Sequence, residues 1–177
     1  MRVIKMEKLQ EKTGQIIEFE NYLVARKLKG KVLNFKEVLQ KMNCSQRLFQ
    51  RMAKTYGVSI IEQRNNTYIT VDDLAKILRG IYRPAGRYEY IEKDDELQKI
   101  LVELYEPMVN FGWLAANLPE LFEISELAKK FKKKYDLPIN MLTRNIVTGK
   151  GSYLIYPDGS IMMSEKMFED AVKRIRE

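Results

Sequence analysis

Ile16, Ile17, Phe19, Leu23, Val24 and Leu28 recur three and four residues apart with charged positions between them, which predicts an amphipathic helix over residues 5–28. Gly30 ends it, and Val32-Leu33 reads as a short extended piece. Asn34 is a good N-cap residue, and Phe35, Val38, Leu39 and Met42 form the inward stripe of a second helix over 35–42. Asn43-Cys44 makes a turn. Ser45 caps a third helix over 46–56, and Gly57 supplies its left-handed terminus. The period then changes. Residues 58–63 and 67–70 are rich in β-branched side chains and predict two strands, with Arg64-Asn65-Asn66 as the hairpin tip. Val71-Asp72-Asp73 opens a fourth helix that runs through Leu78 or beyond, with its acids where the helix dipole favours them.

Arg83-Pro84-Ala85-Gly86-Arg87 breaks this pattern and, with Tyr88 to Asp95, reads as a linker or a connecting strand. Leu97 to Tyr105 is predicted helical. An apolar stretch from Met108 to Leu118 follows, bent or divided at Pro107. Aromatic and apolar residues at helical spacing place Phe111, Trp113 and Leu114 in a core or a subunit interface. The first half of the chain then returns as a pattern. Phe122 to Ala128 matches Leu33 to Leu39, and Pro138 to Arg144 matches Ser45 to Arg51. Strands are predicted at 152–156 and 160–163 around the turn Pro157-Asp158-Gly159, and Ser164-Glu165-Lys166 opens a helix to Ile175. The offset grows from about 89 to about 93 residues because a Lys-rich helix over 125–135 is longer than its counterpart. Few residues are identical, so this is a repeat of pattern. The expected organisation is a first domain over 1–82, a linker over 83–95 and a second domain over 96–177.

Composition narrows the function classes. A chain of 177 residues with 45% apolar content makes one large domain or two small ones with real cores. No apolar run approaches the length of a membrane span, and the charged N-terminus is not a signal peptide. Cys44 is the single cysteine and there is no histidine, which removes internal disulfides, Cys-based zinc sites and the commonest general base. These features predict a cytoplasmic protein with no metal, no cofactor and no catalytic residue. Few Cys and abundant Lys, Glu and Ile fit a thermophile. Residues 1–91 carry 18 Lys and Arg against 9 Asp and Glu, whereas residues 92–177 carry 13 against 15. The basic half suggests a polyanionic partner; the bland alternative is a solvated lysine-rich surface.

The run Phe35-Lys36-Glu37-Val38-Leu39-Gln40-Lys41-Met42-Asn43-Cys44-Ser45-Gln46-Arg47-Leu48-Phe49-Gln50-Arg51, continued to residue 78, resembles winged helix-turn-helix proteins, including the MerR and excisionase type. The resemblance covers most of residues 32–80 and, more loosely, 122–175. Leu39 stands where that family usually has a small residue, while Ala128 fills the position in the second copy. The resemblance implies an α+β, mainly helical fold of two tandem winged helix-turn-helix domains, binding double-stranded DNA through the third helix and the hairpin wing.

The residues read independently in the same direction. Leu48, Phe49, Met52 and Ala53 form the inward stripe of helix 46–56, which leaves Gln46, Arg47, Gln50, Arg51 and Lys54 outward. Arg pairs with guanine edges and Gln with adenine edges in the major groove, and Ser45 with the helix N-terminus can hold a phosphate. Arg64, Asn65 and Asn66 at the wing tip suit the minor groove or phosphates. In the second copy Asn140, Thr143 and Arg144 offer fewer cations, the tip at Asp158 is acidic, and Lys150 is a lone further candidate. That copy is expected to bind DNA less strongly or to mediate self-association, and a homodimer would offset the weak binding of single small modules. Thr148-Gly149-Lys150-Gly151-Ser152 lacks the upstream Gly of a phosphate-binding loop, and Cys44 has no His partner and reads as a small core residue. The expected function is a sequence-specific DNA-binding transcriptional regulator. The alternatives are a replication or partition protein of a plasmid or virus, and a winged-helix module that binds proteins.

Overall fold

The computed structural model describes residues 2–5, 32–63, 65–86, 96 and 110–177. They divide into two compact units, residues 1–77 with 111–118 and residues 78–110 with 119–177. Both mix helices with small sheets.

In the first unit, strand β1 (Arg2–Lys5) is followed by β2 (Val32–Asn34), α1 (Phe35–Met42), α2 (Gln46–Thr55), β3 (Ser59–Gln63), β4 (Asn66–Thr70) and α3 (Val71–Ile81). The sheet order is β1-β3-β4-β2. β3 and β4 form an antiparallel hairpin with Gln63 opposite Asn66, and β2 pairs antiparallel with β4. β1 lies parallel to β3, with Val3 opposite Ile60. Lys5, expected to open the first helix, is therefore the last residue of a strand; the rest of that predicted helix lies outside the described residues, as does Leu97 to Tyr105. Asn66 begins β4 rather than forming the hairpin tip, and Arg64 lies outside the described residues.

The local signals explain the helices. The Asn34 side chain accepts hydrogen bonds from the amides of Lys36 and Glu37 at 3.0 and 3.3 Å. Asn43 ends α1 with φ 51°; its amide donates to Gln40 O and the Cys44 amide to Leu39 O, the paired bonds of a left-handed cap. Phe35, Val38, Met42, Phe49, Met52, Ala53, Ile60, Ile69, Leu74 and Ile77 are buried, and the Phe35 and Phe49 rings meet edge-on at 5.0 Å. Leu39 and Leu48, expected inward, are only half-buried, as is Cys44. α4 (Phe111–Ala116) belongs to this unit and buries Phe111 and Ala115. Trp113, placed in a core or an interface by its spacing, is 64% exposed.

The second unit contains β5 (Tyr82–Arg83), β6 (Phe122–Glu123), α5 (Ile124–Lys130), α6 (Ile139–Asn145), a wide turn over Ile146–Lys150, β7 (Tyr153–Ile155), β8 (Ile161–Met163) and α7 (Glu165–Arg176). Its sheet order, β5-β7-β8-β6, reproduces the first in kind: an outer strand, the two hairpin strands, then the strand before the first helix. The outer strand here runs antiparallel to its neighbour. Tyr82 and Arg83, expected at the junction of first domain and linker, are thus part of the second sheet. The lysine-rich helix predicted over 125–135 ends as an α-helix at Lys130 and continues as turns through Lys134. Ile124, Leu127, Leu142, Ile146, Tyr153, Met163, Phe168, Ala171 and Val172 form the core of this unit. The Phe131 ring stacks on Phe168 at 5.8 Å.

Candidate nucleic-acid interface

Helix α2 is fixed at both ends by its own sequence. The Ser45 hydroxyl oxygen accepts a hydrogen bond from the Leu48 amide at 3.1 Å. At the other end Gly57 has φ 64°, and the amides of Gly57 and Val58 donate to Lys54 O and Ala53 O. That left-handed conformation strains any side chain but glycine, so the helix stops there and turns into β3.

The apolar side of α2 is fully buried through Phe49, Met52 and Ala53. The other side carries Gln46, Arg47, Arg51 and Lys54, all exposed, with Gln50 half-buried beside them. Arg47 and Arg51 are one turn apart, as are Gln46 and Gln50, so the five share one side of the helix. No acidic residue lies within α2, and none of its three cations makes an ion pair among the described residues. Asn65 and Asn66, at the end of the hairpin that follows, are exposed.

The equivalent surface of the second unit is built differently. α6 has Pro138 at its cap position and no side-chain cap bond. Asn140 and Arg144 are exposed and Thr143 is half-buried, but Ile139 and Met141 stand 41% and 37% exposed among them. One detail repeats between the copies: the Thr148 hydroxyl donates to Arg144 O at 2.7 Å, as Thr55 does to Arg51 O at 3.0 Å. In this unit's hairpin the Asp158 carboxylate accepts the Ser160 amide at 2.9 Å, and Gly159 turns the chain with φ 87°. Lys150 is exposed at the end of the wide turn and lines an open depression of about 520 Å³ with Arg174 and Glu177. The structure therefore groups Ser45, Gln46, Arg47, Gln50, Arg51 and Lys54 on one helix of the first unit, and Asn140, Thr143 and Arg144 on one helix of the second.

Sequence reasoning missed the exposure of Ile139 and Met141, which carried no signal beyond their place in an outward-facing turn. It also missed how the lysine run divides. Lys130 pairs with Glu165, and Lys134 lies 3.5 Å from Glu169. The Tyr135 hydroxyl and then Glu169 hold the Lys134 ammonium above the usual lysine range. The signal was present: Lys130 and Lys134 are four apart, and so are the two glutamates.

Among the described residues no three His, Cys, Asp or Glu side chains gather as metal ligands, and no helix is long and apolar enough to cross a membrane. The chain matches no family model, no curated protein and no solved structure.

Proposed function

We propose that this protein binds double-stranded DNA through a pair of winged helix-turn-helix units, with the first unit reading sequence and the protein acting as a transcriptional regulator. The observation that carries the reading is α2. It is a capped helix with a buried apolar side, an exposed side of Arg47, Arg51, Lys54 and Gln46, and no acidic residue of its own. A helix of this kind fits the major groove, where guanidinium groups reach guanine and carboxamides reach adenine. The β3–β4 hairpin, entered directly from α2, suits the flanking backbone as a wing. No catalytic residue, metal or cofactor is assigned in this reading.

Selection of bound duplexes from a random-sequence pool, followed by titration of the selected site, tests it. Arg47→Ala and Arg51→Ala are expected to weaken the selected site more than random duplex. Absence of binding at low salt, or selection with no preferred sequence, refutes the reading. Where the selected sites fall would separate a regulator from a replication or partition protein.

A second reading is favoured by Ile139 and Met141. Two residues apart on α6, they leave apolar surface on two sides of the helix where α2 has Gln46 and a half-buried Leu48. This favours a protein-contact role for the second unit, as a homodimer interface. Sedimentation of the wild type and of Ile139→Ser with Met141→Ser tests it: a concentration-dependent dimer that the double variant abolishes supports it, and a monomer throughout refutes it.

A further inference from the structure

We propose that Lys129, Lys132 and Lys133 form a second DNA contact surface on the second unit, one that grips phosphates without reading sequence. This inference rests on the duplex-binding reading above and adds a separate site to it.

The argument begins with a difference between the two copies. α1 closes at Asn43, two residues before α2 begins to be capped. Its counterpart α5 closes at Lys130, and the chain then makes further turns before α6. The Lys134 amide donates to Phe131 O, and the Tyr135 amide to the same oxygen at 2.7 Å. The extra residues are rich in lysine.

The structure sorts these lysines by partner. Lys130 and Lys134 are four residues apart and meet Glu165 and Glu169, also four apart, on α7. Their charges are answered within the unit, and both ammonium groups also lie over aromatic rings, Lys130 over Phe122 and Lys134 over Tyr135. Lys129, Lys132 and Lys133 lie within the same five residues and pair with neither glutamate. All three are exposed, and none has an ion pair among the described residues. Glu126 and Asp136 bound the run at its ends, so the three like charges fall within five residues without an acid between them. Like charges at these spacings repel one another in the free protein, and a row of phosphates relieves that repulsion.

The chemistry points to phosphate positioning rather than base reading. Lysine is a compact point charge on a flexible stem, without the planar fork that selects a base edge. Contacts of this sort fix a protein on the duplex without carrying sequence information. They would give the second unit a hold on DNA that needs neither α6 nor its acidic hairpin tip.

The test is a salt titration of the full chain on random-sequence duplex and on a selected site. Each phosphate neutralised adds about 0.9 to the slope of log affinity against log salt. The triple variant Lys129→Gln, Lys132→Gln, Lys133→Gln is expected to flatten the slope by about 2.7. The ratio of selected to random affinity should stay unchanged. Each single variant should flatten it by about a third as much, which keeps the test open if the triple variant misfolds. The pair Lys130→Gln, Lys134→Gln should flatten it far less. An unchanged slope in the triple and single variants overturns the inference while leaving α2 as the reader. Equal flattening by the Lys130 and Lys134 pair overturns it as well, because bulk charge would then suffice. Loss of binding to duplex RNA or polyglutamate with duplex DNA binding intact overturns the assignment to DNA. Failure of the wild type to bind any duplex at low salt removes the function proposed above together with this one.

Discussion

Gly151 leads from the wide turn after α6 into β7 with φ −145° and ψ 149°, an extended backbone open to any residue. Its need for glycine is steric. A Cβ at this position would lie 2.7 Å from Ala171 Cβ on α7 and 3.3 Å from Ile146 Cγ1. Ala171 is fully buried and its Cβ is fixed by the helix backbone, so it cannot rotate away. Two effects of Gly151→Ala therefore oppose each other. Restricting the unfolded chain stabilises the protein by about 0.4–1 kcal/mol. Forcing one more carbon into a packed core costs about 1–3 kcal/mol. The expected net is a loss of about 1–2 kcal/mol, seen as a lower urea midpoint and a Tm lower by roughly 2–8 °C. Ala171→Gly alone should cost about 1 kcal/mol through helix propensity. Combined with Gly151→Ala it should recover part of the clash, giving a favourable coupling in a double-mutant cycle. If Gly151→Ala is as stable as the wild type, or if the two changes simply add, the close approach of this turn to α7 is not what requires glycine.

Three further outcomes are expected. Ser45→Ala removes the acceptor of the Leu48 amide and should cost about 1 kcal/mol in urea denaturation, whereas Ser45→Asp keeps the cap but should weaken duplex binding by placing a negative charge at the start of α2. Phe168→Ala empties a fully buried site stacked on Phe131 and should cost about 3–5 kcal/mol, measured by denaturation followed in the near-ultraviolet circular dichroism. Asp158→Asn keeps an acceptor for the Ser160 amide and removes the charge, so random-duplex affinity should rise; unchanged affinity means that this hairpin does not approach phosphates.

The parts of the fold legible in the sequence are those fixed by neighbours in the chain. Asn34 and Ser45 cap the helices they were expected to cap, and the buried Phe49, Met52 and Ala53 follow from spacing of three and four. The hairpin at 59–70 was readable from β-branched runs around a polar turn, and that at 153–163 from the turn Pro157-Asp158-Gly159 between apolar runs. What escaped depends on distant partners. β1 exists because its backbone pairs with β3, more than fifty residues on, and its four residues carry no period of their own. Tyr82 and Arg83 are a strand only because Leu154 and Tyr153 lie opposite them. Trp113 shows the limit of periodicity: helical spacing says which residues share a side, but not that Phe111 takes the buried side and Trp113 the exposed one. The candidate site was legible to the same extent. The stripe on α2 is local, whereas the division of the lysine run depends on where α7 packs.

That division bears on why two units of like topology need not do the same work. Each pairs a strand with a first helix, turns into a second helix, returns by a hairpin and closes with a third helix. The buried sides agree: Phe49 and Ala53 in α2 answer to Leu142 and Ile146 at the same depth in the other core. The outer sides diverge, with Gln46 and Arg47 against Ile139 and Asn140, while Arg51 and Arg144 are in common. Burial constrains the inner stripe in volume and polarity, while nothing in folding dictates what the outer stripe carries. The difference in the outer stripe is therefore where a difference in partner would be written. On that ground we propose the first unit as the reader, and the lysines of the second as the place to look for its own contribution to binding.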